Sequence, residues 1–262
     1  MTFSPVKSHL TGPVVFVLGI LALLVTWLAM EPAALHHAFD QDGYSPFELA
    51  TVPFYAVLIP LVWWKCPFTG SRTRRTILCL AVSCVAFMAV VKELDIHVMA
   101  MHGLFPEVVK PDGSVYGLVK PNGEALTGTP FKMRFLTNAG APLGAKAIAV
   151  AYFALFSGVF GITLAYFAKD LIVGFFKKVP PAWSMCCFGT AGVMVQLCDR
   201  MPAWVRHIRH LPKPKGDEID SISSLFTALE EGGEMLIAIF AILAILQAYA
   251  LYGKSGAAKD CA

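Results

Sequence analysis

Charge is scarce in this chain. Only 15% of its 262 residues are Asp, Glu, Lys or Arg, where a soluble domain carries about 25%. The shortage excludes an ordinary water-solvated surface. The net charge of +3 is too small to hold a polyanion, so no nucleic-acid partner is expected. Paired metal-binding cysteines are also missing. The seven cysteines are Cys66, Cys79, Cys84, Cys186, Cys187, Cys198 and Cys261, and none forms a Cys-x-x-Cys pair. Cys79, Cys84, Cys186 and Cys187 fall inside apolar runs, where cysteine packs as a small hydrophobe. No phosphate-binding P-loop, Gly-x-Ser-x-Gly elbow, His-Glu-x-x-His helix or dinucleotide fingerprint occurs. No apolar run carries the pair of histidines that a multi-haem electron carrier needs.

What is present is apolar sequence. Hydrophobic residues make up 56% of the chain and the mean hydropathy is +0.63. Several runs reach the length of about 20 residues that crosses a bilayer as a helix. Six spans are predicted, at 13–30, 47–64, 76–91, 147–168, 181–198 and 225–252. The fold class is therefore an all-α polytopic membrane bundle, one transmembrane domain from 1 to 262. The first span is long for a signal peptide and lacks a clean small-x-small cleavage site, so it is read as a retained anchor. Pro53 and Pro60 predict a kinked second span. Pro180 and Pro181 suit the first turn of the fifth.

A long segment, 93–144, separates spans three and four. Its Pro-Asp-Gly and Pro-Asn-Gly tripeptides mark turns, and the stretch between them has strand-like residues, so a small hairpin is expected. Lys and Arg cluster in alternate connections: Lys65, Arg72, Arg74 and Arg75, then Lys169, Lys177 and Lys178, then the tail with Lys254 and Lys259. By the positive-inside rule, both termini are cytoplasmic and the segment 93–144 is outside. Arg206, Arg209, Lys213 and Lys215 lie outside on this reading, against the rule, where they would attract anionic lipid or phosphate.

Placed on that topology, the acids converge. Glu48 opens span two; Glu93, Asp95 and His97 close span three; Asp199 and Arg200 close span five; Glu230, Glu231 and Glu234 open span six. All lie on one membrane face, whichever way the protein is oriented. Glu93 and His97 are spaced i,i+4, as are Glu230 and Glu234, and such pairs share a helix face. Gly232 and Gly233 place two small residues between the acids, which permits close helix approach. Charges at membrane depth are costly, so they face the bundle interior, pair, or line a wet cavity. A singly placed acid at a helix start is more often a favourable partner of the helix dipole.

Carboxylates with an imidazole suit a divalent metal, the candidate cofactor. The expected ligands are Glu48, Glu93, Asp95, His97 and Glu234; the expected acid–base groups are Glu93, His97, Glu230 and Glu234. Asp199, Arg200 and Arg134 are the expected substrate contacts. These assignments point to an enzyme of an inner membrane, a metal-assisted hydrolase or transferase. It would act on a lipid or lipid-linked substrate at the outer face. Membrane lipids are then its partners. Two rival readings share the same residues. One is a non-catalytic subunit that docks protein partners through 93–144. The other is a proton- or cation-coupled carrier or channel, although no inverted repeat of hydropathy is visible.

Overall fold

The computed structural model describes residues 5–39, 45–66, 71–94, 96, 100, 103–105, 108–109, 115–116, 136–137, 142–209 and 220–256. Six of its helices are long and apolar enough to cross a membrane. They are α1 (Thr11–Ala29), α3 (Pro46–Lys65), α4 (Arg72–Glu93), α5 (Leu143–Phe176), α6 (Pro180–Cys198) and α8 (Ser221–Gly256). Two short helices, α2 (Pro32–Phe39) and α7 (Met201–Ile208), were not expected and lie in connections read as loops. The chain is thus a helical membrane bundle, as its composition requires: only a helix satisfies every backbone group within one apolar segment.

Each predicted span has a helix, and several helices overrun their apolar core. α4 begins four residues earlier than predicted, at Arg72, and ends two later, at Glu93. α5 covers 34 residues, about 51 Å of axis, against a hydrocarbon thickness of about 30 Å. The overrun has a simple cause. In α4 the hydrogen-bond ladder continues through polar residues, Arg72 to Arg75, that hydropathy does not mark; in α5 it runs through Lys169 and Asp170 into a second apolar stretch, Leu171 to Phe176.

Local signals explain the ends. α3 starts with a reciprocal capping box: Ser45 Oγ accepts from the Glu48 N–H at 3.1 Å, and the Ser45 N–H donates to Glu48 Oε2 at 2.9 Å. Pro46 follows at the first helical position, where its missing N–H costs nothing. Pro53 and Pro60 lie inside α3, as expected. α5 and α6 are joined by a tight turn in which Lys178 takes a positive φ of 56°. Trp183 clamps that turn by donating to the Phe175 carbonyl at 3.0 Å and stacking on the Phe175 ring.

α8 is the central helix. One side packs with α1, α2 and α6 around Leu23, Leu35, Phe39, Ala191, Ala228, Leu236 and Phe240. The other packs with α3 and α4 around Tyr55, Leu58, Val62, Cys79, Ala86, Ala238 and Ile245. α5 stands outside this core, against α4 and α6. At the end of the bundle away from the acids, Ser184 Oγ donates to Gln247 Oε1 at 2.7 Å, which satisfies two fully buried side chains. The expected hairpin is present in the segment after α4: β1 (Val108–Val109) and β2 (Val115–Tyr116) pair antiparallel, Val108 opposite Tyr116 and Val109 opposite Val115.

Candidate functional site: a buried carboxylate cluster

The cluster begins with helix rotation. At about 100° per residue, Glu231 and Glu234 of α8 lie about 60° apart, and Gly232 and Gly233 centre on the opposite side. The two glycines press against neighbours. A Cβ on Gly232 would fall 2.3 Å from Leu23 Cδ2 of α1, and one on Gly233 would fall 2.6 Å from Val195 Cγ2 of α6. With the glycine side held against α1 and α6, the Glu231–Glu234 side turns toward α3 and α4. Tyr55 of α3 anchors this face: its hydroxyl donates to the Glu234 main-chain carbonyl at 2.8 Å.

α4 supplies the remaining groups from its last turn. Helix geometry persists through Lys92 and Glu93, and the Leu94 N–H closes it onto the Val90 carbonyl at 3.1 Å. Carboxylate oxygens of Glu93, Glu231 and Glu234 all lie within 4.8 Å of one another. The Glu93 side chain is only 2% exposed and that of Glu234 11% exposed. Lys92 reaches into the group. Its ammonium donates to Glu234 Oε2 and stands 3.7 Å from Glu93 Oε1. Glu93 Oε1 is buried and has no hydrogen-bond partner.

Charge makes this arrangement unusual. Three carboxylates against one ammonium leave a formal excess of two negative charges. Desolvating each ion costs several kcal/mol unless opposite charge or hydrogen bonds compensate. One lysine, shared between Glu234 and Glu93, leaves the group short of positive charge. The group therefore calls for further positive charge, from protons or from a metal ion. The spacing suits a metal: a hard divalent cation at its usual oxygen distances holds ligand oxygens about 3–5 Å apart. Glu93 Oε1, buried and without a hydrogen bond, keeps its acceptor capacity open apart from the Lys92 ammonium at 3.7 Å.

The expected residues divide accordingly. Glu93 and Glu234 meet. Glu230 and Glu48 are not members of the three-carboxylate group. Glu48 is engaged in the α3 cap, within electrostatic reach of Glu93. Glu230 lies within electrostatic reach of Cys198 of α6 and of Glu231. Asp199 and Arg200 are exposed at the turn between α6 and α7. Asp95, His97 and Arg134 lie outside the described residues, as do Lys213 and Lys215. α4 ends at Glu93, with Leu94 as its C-cap. Lys92 was expected in an interfacial network with Asp199 and Arg200 and instead pairs with Glu234 and Glu93; Tyr55 and the membership of Glu231 were not foreseen. The i,i+3 spacing of Glu231 and Glu234 was a signal for the last. Nothing local marks Tyr55, which reads as one aromatic in an apolar run.

A second charged contact lies where α7 meets α8. Arg206 donates to Asp220 Oδ1 at 2.8 Å and to Ser223 Oγ. It is thus committed to a side-chain contact rather than free for lipid. Asp220 caps α8 by accepting the Ser223 N–H at 2.8 Å. Burial acts to raise the Asp220 carboxyl, but the Ser223 hydrogen bonds and the Arg206 guanidinium outweigh it and hold the group below its usual value.

Fold and cluster together define a polytopic helical membrane protein with a carboxylate–lysine centre near one end of its bundle. No protein-family model, curated protein or solved structure matches the chain.

Proposed function

We propose that the chain is a membrane-embedded enzyme of an inner membrane, acting on a lipid or lipid-linked substrate at the outer face through a divalent cation held by Glu93, Glu231 and Glu234. The observation that carries this reading is the meeting of three carboxylates from two helices within 4.8 Å, one with a buried oxygen, Glu93 Oε1, that has no hydrogen bond and only the Lys92 ammonium at 3.7 Å. Its position favours a substrate from the membrane, since Lys92 and Glu93 occupy the last turn of a spanning helix. A divalent cation at this place supplies Lewis acidity toward a carbonyl or phosphoryl oxygen and lowers the proton affinity of bound water. Glu93, fixed by burial, is the positional ligand. Glu231, half-buried, is the group best able to take a proton from water. Lys92, 44% exposed, faces the approach of an anionic headgroup. The positive connections at the opposite ends of the helices support cytoplasmic termini and an outward-facing cluster.

The test is the metal content of detergent-purified protein, wild type against Glu93→Gln and Glu234→Gln. The expected result is a near-stoichiometric divalent metal in wild type, lost in both variants, followed by metal-dependent turnover of lipid or lipid-linked substrates. A well-folded wild type without affinity for any divalent metal sinks the proposal, and cation flux in proteoliposomes becomes the next measurement. A subunit role has one observation in its favour: only 6% of the most apolar stretch of α5 is buried within the chain, which leaves a long face for neighbouring helices. Stoichiometric co-purifying partners would favour that role.

A further inference from the structure

We propose that Lys92 is a built-in competitor for the cation, and that it makes the cluster selective for divalent over monovalent ions. The inference rests on the metal reading of the same site.

The geometry points to competition. The Lys92 ammonium takes Glu234 Oε2 and stands 3.7 Å from Glu93 Oε1, so it occupies the space between two of the three carboxylates. A metal ion drawing on Glu93, Glu231 and Glu234 needs that same space. The two positive charges cannot share it without strong repulsion at this separation. Lysine is suited to leaving. Its ammonium is a point charge on a flexible four-carbon stem, and its side chain is 44% exposed while Glu93 beside it is 2% exposed. The acids stay in place and the ammonium swings outward.

Selectivity follows from charge alone. A sodium or potassium ion brings one positive charge and must displace one, so the exchange gains no electrostatic energy and still costs dehydration. A divalent ion brings two charges to three carboxylates whose oxygens lie within 4.8 Å of one another, one of them Glu93, whose buried Oε1 has no hydrogen bond. Lys92 is thus a specificity-determining residue: it weakens every cation and weakens monovalent ions most.

The experiment is Mn2+ binding to the full chain in detergent, followed by paramagnetic resonance, with and without excess Na+. Wild type, Lys92→Gln and Lys92→Arg are compared. Lys92→Gln should bind Mn2+ tighter on the order of tenfold or more, because a like charge has left a poorly solvated site. Na+ should compete for the Lys92→Gln site and not for the wild-type or Lys92→Arg site, and Lys92→Arg should bind Mn2+ no tighter than wild type, because its guanidinium holds carboxylates in a fork. Mn2+ should also increase acylation of Lys92 in the wild-type protein by a water-soluble amine reagent, read by peptide mass spectrometry. Wild type that binds Mn2+ while Lys92→Gln binds no tighter overturns the competition and leaves the metal reading standing. Mn2+ binding with no change in Lys92 acylation overturns it too, without dependence on any variant folding. Failure of both wild type and Lys92→Gln to bind Mn2+ removes the metal reading, and this inference with it.

Discussion

Two adjacent glycines show how much a single side chain matters in a bundle held by close helix approach. Without a hydrophobic drive between helices in lipid, association depends on packing, and small residues let backbones meet. Gly233 meets Val195, a stiff β-branched side chain, whereas Gly158 on α5 has nothing within 4 Å of the place its Cβ would occupy. Gly233→Ala is expected to destabilise the bundle by about 1–3 kcal/mol through overpacking, while Gly158→Ala is expected to be neutral or slightly stabilising. Thermal unfolding in detergent checks both; equal losses at the two positions would show that the Gly233 contact is not the cause. The residue scale also decides the cluster. Glu230 and Glu231 are chemically identical neighbours, yet only Glu231 joins Glu93 and Glu234.

Among elements, the junction of α7 and α8 carries a pH signature. α7 has no buried residue and exposes Trp204 and Ile208. Its link to α8 is Arg206 on Asp220 and Ser223. Because the folded protein holds the Asp220 carboxyl below its ordinary value of 3.8, the carboxylate stabilises the fold above that value. The stabilisation is lost as pH falls from 3.8 through the lower folded value. Asp220→Ala should therefore cost about 1 kcal/mol at neutral pH, the usual worth of a cap. The gap to wild type should narrow as the solution is acidified through the carboxylate range. Melting curves of the two proteins across that range are the measurement; a gap independent of pH would place the cost in the side chain's packing instead.

For the whole molecule, orientation is the property to test. Lys177 closes α5 and Arg209 follows α7, at opposite ends of α6. Single cysteines introduced there, in a background freed of the seven natural ones, should react with an impermeant thiol reagent from opposite sides. Arg209→Cys should label from the outer side and Lys177→Cys only after the membrane is opened. The reverse pattern would put the carboxylate cluster on the cytoplasmic side and redirect the substrate search to the inner leaflet.

The number of spans, their approximate places, the hairpin after α4 and the meeting of Glu93 with Glu234 were legible in the chain. Each depends on a local quantity: the length of an apolar run, a turn tripeptide, the position of a charge relative to a span. The short helices α2 and α7 and the last turn of α4 were not legible, because lipid dictates only the apolar part of a helix; the reach of α5 was missed because Lys169 and Asp170 interrupt its apolar run before Leu171 to Phe176 resume it. Tertiary structure decided between the i,i+3 and i,i+4 partners of Glu234, so that Glu231 rather than Glu230 meets Glu93, and it alone showed that Lys92 reaches the acids and that Tyr55 holds the Glu234 carbonyl. The reason is helix rotation. Spacing along a chain says which residues share a face, but only the glycine contacts of α8 with α1 and α6 say which neighbour that face meets.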